Sequence, residues 1–299
     1  VRYNFDFVKF SRYCFMVSSA IALIGILSLA IFGLNYGVDF RAGSNVDISV
    51  SKQLEKAEID AYLDEKGFGN HQVVVGSDRI TIRYDDVLTD VQENMIKTDF
   101  IERFDPEASA EVNTVDVEMA RELQVNALLA LTFASIGIAL YICIRFEWRF
   151  ALAAIIGLIH DGFLVIALFS IFHLEVSLTF IIAVLTIIGY SINDKIVIFD
   201  RIRENMRFAK IKSPSDLVSL VNQSIKETLN RSINTVLTVL FGAICLYIFG
   251  SESISMFSLA IVIGLVLGAY SSIFISAQLW LWFKGKEKSK KAVKAPAAS

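Results

Sequence analysis

Six transmembrane helices, with an α+β domain inserted between the first and the second, make up the polytopic α-helical membrane fold that this sequence predicts. Three observations carry the prediction. Of the 299 residues, 55% are hydrophobic and 20% charged, with a mean hydropathy of +0.56, where a soluble domain carries about 25% charge and less apolar bulk. The apolar residues gather into runs of the roughly 20 residues that cross hydrocarbon as a helix. One long acidic insert interrupts the series of runs.

Four runs contain no Asp, Glu, Lys or Arg: residues 13–38, 123–144, 232–251 and 253–283. Two more are interrupted only inside: 150–172 by His160 and Asp161, and 176–199 by Asp194 and Lys195. Both can span if those groups face the bundle interior. The runs do not alternate, which excludes barrel strands. The first is too long for the apolar core of a cleaved signal peptide, so it is expected to stay as a span. The last is long enough to contain a tilt or an interfacial turn. Cys14, Cys143 and Cys245 all lie inside spans and read as small packing residues, not as a disulfide set or metal ligands.

Lys and Arg near the span ends set orientation. Arg2, Lys9 and Arg12 precede the first span, Arg145 and Arg149 join the second to the third, and Arg201, Arg203, Arg207, Lys210, Lys212 and Lys226 follow the fourth. A lysine-rich tail follows the sixth, while the opposite short loops, 172–176 and 249–254, contain neither residue. Residues 1–12 and the basic tail 284–299 are therefore expected in the cytoplasm, the first helix at 13–34 and the remaining five within 123–283.

Residues 35–122 then lie outside the cell. With 20 acidic residues against 9 basic ones, a formal charge near −11, they form a solvated domain of readable pattern. An extended segment at 38–50 precedes "KAEIDAYLDEKGFGN", helical in period and stopped by Gly67 and Gly69. The alternating "HQVVVG" and "DRITIRY" make a hairpin turning at Gly76-Ser77-Asp78. A second helix runs over about 89–103, capped by Thr89 and followed by Pro106, and "AEVNTVDVEM" closes the set as a strand. The order is βαββαβ, the ferredoxin-like arrangement of one sheet with two helices on one face.

Between the fourth and fifth spans, residues 201–229 have their own grammar. Ser213, Pro214 and Asp216 mark a helix start, and Leu217, Val218, Leu220, Val221, Ile225 and Leu229 recur at helical spacing. The expectation is an amphipathic helix on the inner membrane surface, leading into the fifth span.

The candidate chemistry is in the ionisable groups at membrane depth. A carboxylate there costs about 2.5–3.5 kcal/mol on insertion scales, so it is kept for a partner or a water path. Asp161 lies roughly 16 Å from the start of the third span, near the midplane, and Asp194 roughly 9 Å above Asp200 on the fourth. Arg231 opens the fifth span at a depth comparable to Asp194, close enough in height to pair. From the residues alone two readings stand side by side: a buried ion pair that fixes helix register, or a proton relay in which Asp194 moves between two environments. His160, as the neighbour of Asp161, is not expected to face it on a helix. Lys195 is expected to snorkel to the headgroups, and Asp200, Arg201, Arg203 and Glu204 to form a solvated helix end. No Walker-type phosphate loop, metal-ligand spacing or basic nucleic-acid face competes. No cofactor is expected.

"IGYSINDKIVIFDRIREN" (188–205) resembles the signature of SecF proteins in the SecD/SecF protein-export family, within the resistance-nodulation-division superfamily. "GLNYGVDF" (33–40), "HDG" (160–162), "TLNRSINT" (228–235) and "GAYSSIFI" (268–275) agree, and the resemblance covers nearly the whole chain. After "GVDF" the family continues Thr-Gly-Gly, whereas this chain reads Arg41-Ala42-Gly43-Ser44.

The resemblance implies a half-bundle that pairs with SecD and associates with the SecYEG channel in a bacterial inner membrane, with YajC a further expected partner. It implies use of the proton-motive force to draw preproteins outward after the SecA ATPase has pushed them, with the outer domain holding the translocating chain. Such a protein is an ion-gradient-driven factor, not an enzyme, and its coupling ion is H⁺ or Na⁺. By the same resemblance Asp194 is the protonatable carboxylate, Arg231 its basic partner, and Asp161 a support of the path. A half-transporter for small molecules or lipids, or a structural subunit of the translocon without ion conduction, are the alternatives.

Overall fold

In the structure, a computed structural model describing residues 5–52, 54–67, 69–76 and 79–294, six helices are long and apolar enough to cross a membrane. Arg2, Phe68, the turn residues Ser77 and Asp78, and residues 295–299 of the expected tail lie outside the described residues. The six are α1 (Phe7–Ile31), α4 (Val117–Arg145), α5 (Trp148–Ile171), α6 (Leu178–Phe208), α7 (Pro214–Phe249) and α8 (Glu252–Ser271), which continues through a π-helical turn, Ser272–Ser276, into α9 (Ala277–Lys294). Two compact units emerge: a helical one containing Leu131–Leu174, the chain up to Asn35 and the chain from Thr179 on, and an αβ one of Tyr36–Ala130 with Glu175–Leu178.

The αβ unit is built as its alternation demands. Strand β1 (Gly43–Ser49) is followed by α2 (Lys56–Lys66), β2 (His71–Val75), β3 (Arg79–Tyr84), α3 (Asp90–Arg103) and β4 (Ser109–Val115). The sheet order is β2-β3-β1-β4, with every neighbouring pair antiparallel. Val46 and Ile48 of β1 share a core with Ile80 and Ile82 of β3, Ile59 and Leu63 of α2, and Ile96 and Phe100 of α3. Thr89 caps α3 through a reciprocal bond with Gln92, and Gly67 ends α2 in the left-handed conformation, φ 68°. Beyond α3, Asp105 accepts from the backbone N–H groups of Ser51 (2.6 Å) and Glu107 (3.0 Å), which hold its carboxyl below the usual range.

The extended segment expected from residue 38 begins later. Val38–Arg41 is a single helical turn, and the strand starts only at Gly43. The chain reverses through Ala42 (φ 67°, ψ 155°) and Gly43 (φ 136°), where a Cβ on Gly43 would stand 2.4 Å from the Tyr84 carbonyl oxygen. Ala42 thus occupies a region that is close to glycine-only and costs about 1–3 kcal/mol. Ala42→Gly is therefore expected to stabilise the protein by about 1 kcal/mol once the added unfolded-state freedom of glycine is deducted. A thermal midpoint that falls in this variant would contradict the assignment.

The helical unit departs from the sequence reading at two places. Helix α1 starts at Phe7, ahead of the uncharged run, because Asp6 caps it through the Lys9 N–H (3.1 Å). The Asn222 side chain donates to Asp6 (2.8 Å) and accepts from the Val8 N–H (3.2 Å), and chiefly this amide holds the Asp6 carboxyl below its usual range. The second departure is in the segment at 201–229, whose helix starts at Ser213–Pro214 and leads into the fifth span as expected but meets protein with its apolar stripe. Helix α6 continues to Phe208, and Ser213 and Pro214 open a helix that runs unbroken to Phe249, about 54 Å at 1.5 Å per residue. Its first apolar stripe, Leu217, Leu220, Val221 and Ile225, is buried against protein, in one cluster with Phe7, Ile142 and Phe199. Sequence periodicity shows that a stripe must be covered, not whether lipid or protein covers it.

Candidate functional site

Two carboxylates in the bundle have opposite surroundings. Asp161, in the middle of α5, has no solvent-exposed surface, and neither has Lys195 on α6. The Lys195 ammonium donates to Asp161 Oδ2 (2.6 Å), to Ser271 Oγ on α8 (3.0 Å) and to Ser191 Oγ one turn back on its own helix. Both hydroxyls also donate to Asp161 Oδ2, Ser271 from 2.7 Å. His160 completes the set, its Nδ1–H donating to Asp161 Oδ1 at 2.9 Å. Every proton of the ammonium has an acceptor, and both carboxylate oxygens have donors, which is what an ion pair needs to persist at this depth.

Two expectations are corrected here. Lys195 does not snorkel, because a fully buried carboxylate and two hydroxyls offer its charge more than the headgroups do. Its stem fits beside Gly157, where a Cβ would come within 2.6 Å of Lys195 Cε and 2.1 Å of Ser276 Oγ. His160 does meet Asp161, since two side chains on successive residues can bend toward each other along the helix surface even though their Cβ directions diverge. The signal for Lys195 was legible as the i,i+4 spacing of Ser191 and Lys195, which puts two polar groups on one face of an apolar helix.

Asp194, one residue before Lys195, points elsewhere. It is 7% exposed and lies beside the hydroxyls of Ser232 and Ser272, within electrostatic reach of Lys195 and Arg231. Its Oδ2 and the Ser232 Oγ are nevertheless buried without a hydrogen-bond partner among the described residues. A cavity of about 20 Å³, room for about one water molecule, adjoins it between Tyr190, Thr235, Gly264 and Gly268. A wider recess of about 530 Å³ opens between Asp200, Arg201, Glu227 and Arg231, and Asn193 lines both spaces.

Asp194 and Arg231 therefore share a region without pairing: no ion pair within 4.0 Å joins them among the described residues, and Arg231 is exposed. The expected solvated helix end is there, with Asp200, Arg201, Arg203 and Glu204 each 34–56% exposed, and its charges are also linked to one another. Arg201 bonds Glu227 (2.6 Å) and Glu204 (2.7 Å), Asn205 bonds Glu227 (2.9 Å), and Arg203 and Arg145 reach Asp200 (3.0 and 3.3 Å). With Glu227 already neutralised by Arg201, the Arg231 charge is left facing the recess. The three cysteines are free thiols, and among the described residues no group of three or more His, Cys, Asp or Glu gathers as metal ligands do.

Comparison with known proteins bears on what this arrangement serves. Residues 96–286 match the family described as protein export membrane protein SecD/SecF, C-terminal, and residues 27–53 match the SecD/SecF GG motif. The protein translocase subunit SecF of Alicyclobacillus acidocaldarius is 41% identical over 297 residues, covering 96% of this chain and 95% of that one. The protein translocase subunit SecDF of Bacillus subtilis is 42% identical over 290 residues, of which this chain spans only 39% of the length. The crystal structure of SecDF from Thermus thermophilus superposes with a TM-score of 0.84 at 31% identity, covering 94% of this chain and 39% of that one.

Proposed function

Because this chain belongs to the SecD/SecF protein-export family, we propose that it is the half-bundle of a SecD-paired complex that uses an ion gradient to assist preprotein movement through the SecYEG channel. Both termini then lie in the cytoplasm of a bacterial inner membrane, and the αβ domain, ferredoxin-like in strand order, stands outside and holds the emerging chain. YajC is a further partner in this reading. The protein transduces energy and makes or breaks no covalent bond, and it needs no cofactor beyond the coupling ion, H⁺.

The observation that supports this best is the state of Asp194. A carboxylate buried in a span with an unsatisfied oxygen is costly, and the cost has a use if the group must take up and release a proton. Arg231 and the recess give it a charged, open neighbour on one side, and Asn193 lines both the recess and the cavity beside Asp194. Protonation would change the attraction between Asp194 and Arg231 and so the preferred position of α6 against α7. In membrane vesicles carrying the whole complex, Asp194→Asn is expected to abolish the gradient-stimulated part of export and leave the ATP-driven part. Undiminished stimulation would sink the proposal and favour the second reading, a purely structural subunit, for which the saturated Asp161–Lys195 pair is the supporting observation.

A further inference from the structure

The ammonium of Lys195 occupies a position that chemistry would otherwise assign to a free cation. Three oxygens from three helices converge on it: Asp161 Oδ2 at 2.6 Å, Ser271 Oγ at 3.0 Å and the Ser191 Oγ. Carboxylate and hydroxyl oxygens are the ligands that hard cations choose, and the cradle is fully enclosed, Asp161, Ser271 and Lys195 having no exposed surface. The space is shaped for the lysine stem, since a Cβ on Gly157 would collide with Lys195 Cε and Ser276 Oγ. The fourth span thus carries its own cation into the site on a tether.

We propose that Lys195 determines ion specificity at Asp161: its ammonium fills a cradle that would otherwise bind Na⁺, and so bars alkali cations from that carboxylate. Like charges repel strongly in a medium of low dielectric, and here the ammonium already takes the oxygens a second cation would need, so the tethered charge displaces the free one. With alkali cations kept off Asp161, the carboxylate of this half-bundle left to the coupling ion is Asp194. That consequence rests on the proposed function, whereas occupancy of the cradle does not, and the test below reads occupancy alone.

The test compares thermal midpoints of the purified full-length chain in NaCl and in choline chloride, for the unaltered protein, for Lys195→Thr and for Lys195→Thr combined with Asp161→Asn. The unaltered protein is expected to melt equally in both salts. Lys195→Thr, which removes the ammonium and adds a hydroxyl ligand, is expected to gain a saturable rise of about 5 °C in NaCl at about 100-fold excess over its Kd, and the double variant to lose it. If Lys195→Thr aggregates in choline chloride but folds in NaCl, the cradle has been filled by Na⁺ and the proposal stands. A Na⁺ response in the unaltered protein overturns it, as does a Lys195→Thr variant that is indifferent to Na⁺ or aggregates in both salts. Failure of Asp194→Asn to lose gradient-stimulated export would instead remove the proposed function and leave the binding result intact.

Discussion

Asp161→Ala is expected to destabilise the protein by about 3–5 kcal/mol, the cost of leaving a buried charge without its counterion. Lys195 would keep only the hydroxyls of Ser191 and Ser271, neither of which carries the negative charge that offsets the desolvation of an ammonium. The loss should not be read as the worth of the pair. Replacing both members, Asp161→Leu with Lys195→Met, removes the desolvation of two ions together with their attraction, and exchanges of this kind are often neutral or stabilising by about 1–4 kcal/mol. The expected order of thermal midpoints is therefore the single variant far below the unaltered protein, with the double variant close to it or above. A double variant as unstable as the single one would mean that Asp161 is needed for something besides Lys195, with the His160 contact (2.9 Å) the first suspect.

That pair also marks the limit of what the sequence made legible. The spans could be read because an uncharged run of about 20 residues has few other meanings, and the βαββαβ order because alternation and turn residues are local signals. The depth expected for Asp161, Asp194 and Arg231 rests on rise per residue alone. Which group faces which does not, because it depends on the rotation of each helix about its axis. Asp194 and Lys195 are neighbours in sequence, yet about 100° apart around the helix, and this sends one into the Asp161 cradle and the other toward Ser232 and Ser272. Arg231 was expected to pair with Asp194 from a comparable height, but Arg201 bonds Glu227 and Arg231 lines the recess. The cover of the Leu217 stripe was hidden for a related reason: burial by protein and burial by lipid select the same residue types.

At the other end of α5 and α6, an aromatic stack yields a prediction of similar size. Trp280 of α9 is 1% exposed and stacks on Phe150 at 4.7 Å with a 15° interplanar angle, while Phe150 in turn meets Phe199 of α6 at 5.2 Å. One indole thus ties α9 to the two helices that carry Asp161 and Asp194. Trp280→Ala removes the stack and leaves a void in a fully buried cluster of the bundle, for which about 3–5 kcal/mol is the usual cost. Trp280→Phe should cost much less, for two reasons. It keeps a six-membered ring against Phe150, and it deletes an indole N–H that has no acceptor among the described residues, so no hydrogen bond is lost and one desolvated donor disappears. Thermal unfolding of the two variants checks the ranking. If Trp280→Phe were as damaging as Trp280→Ala, ring contact with Phe150 would not be the fastening between these helices.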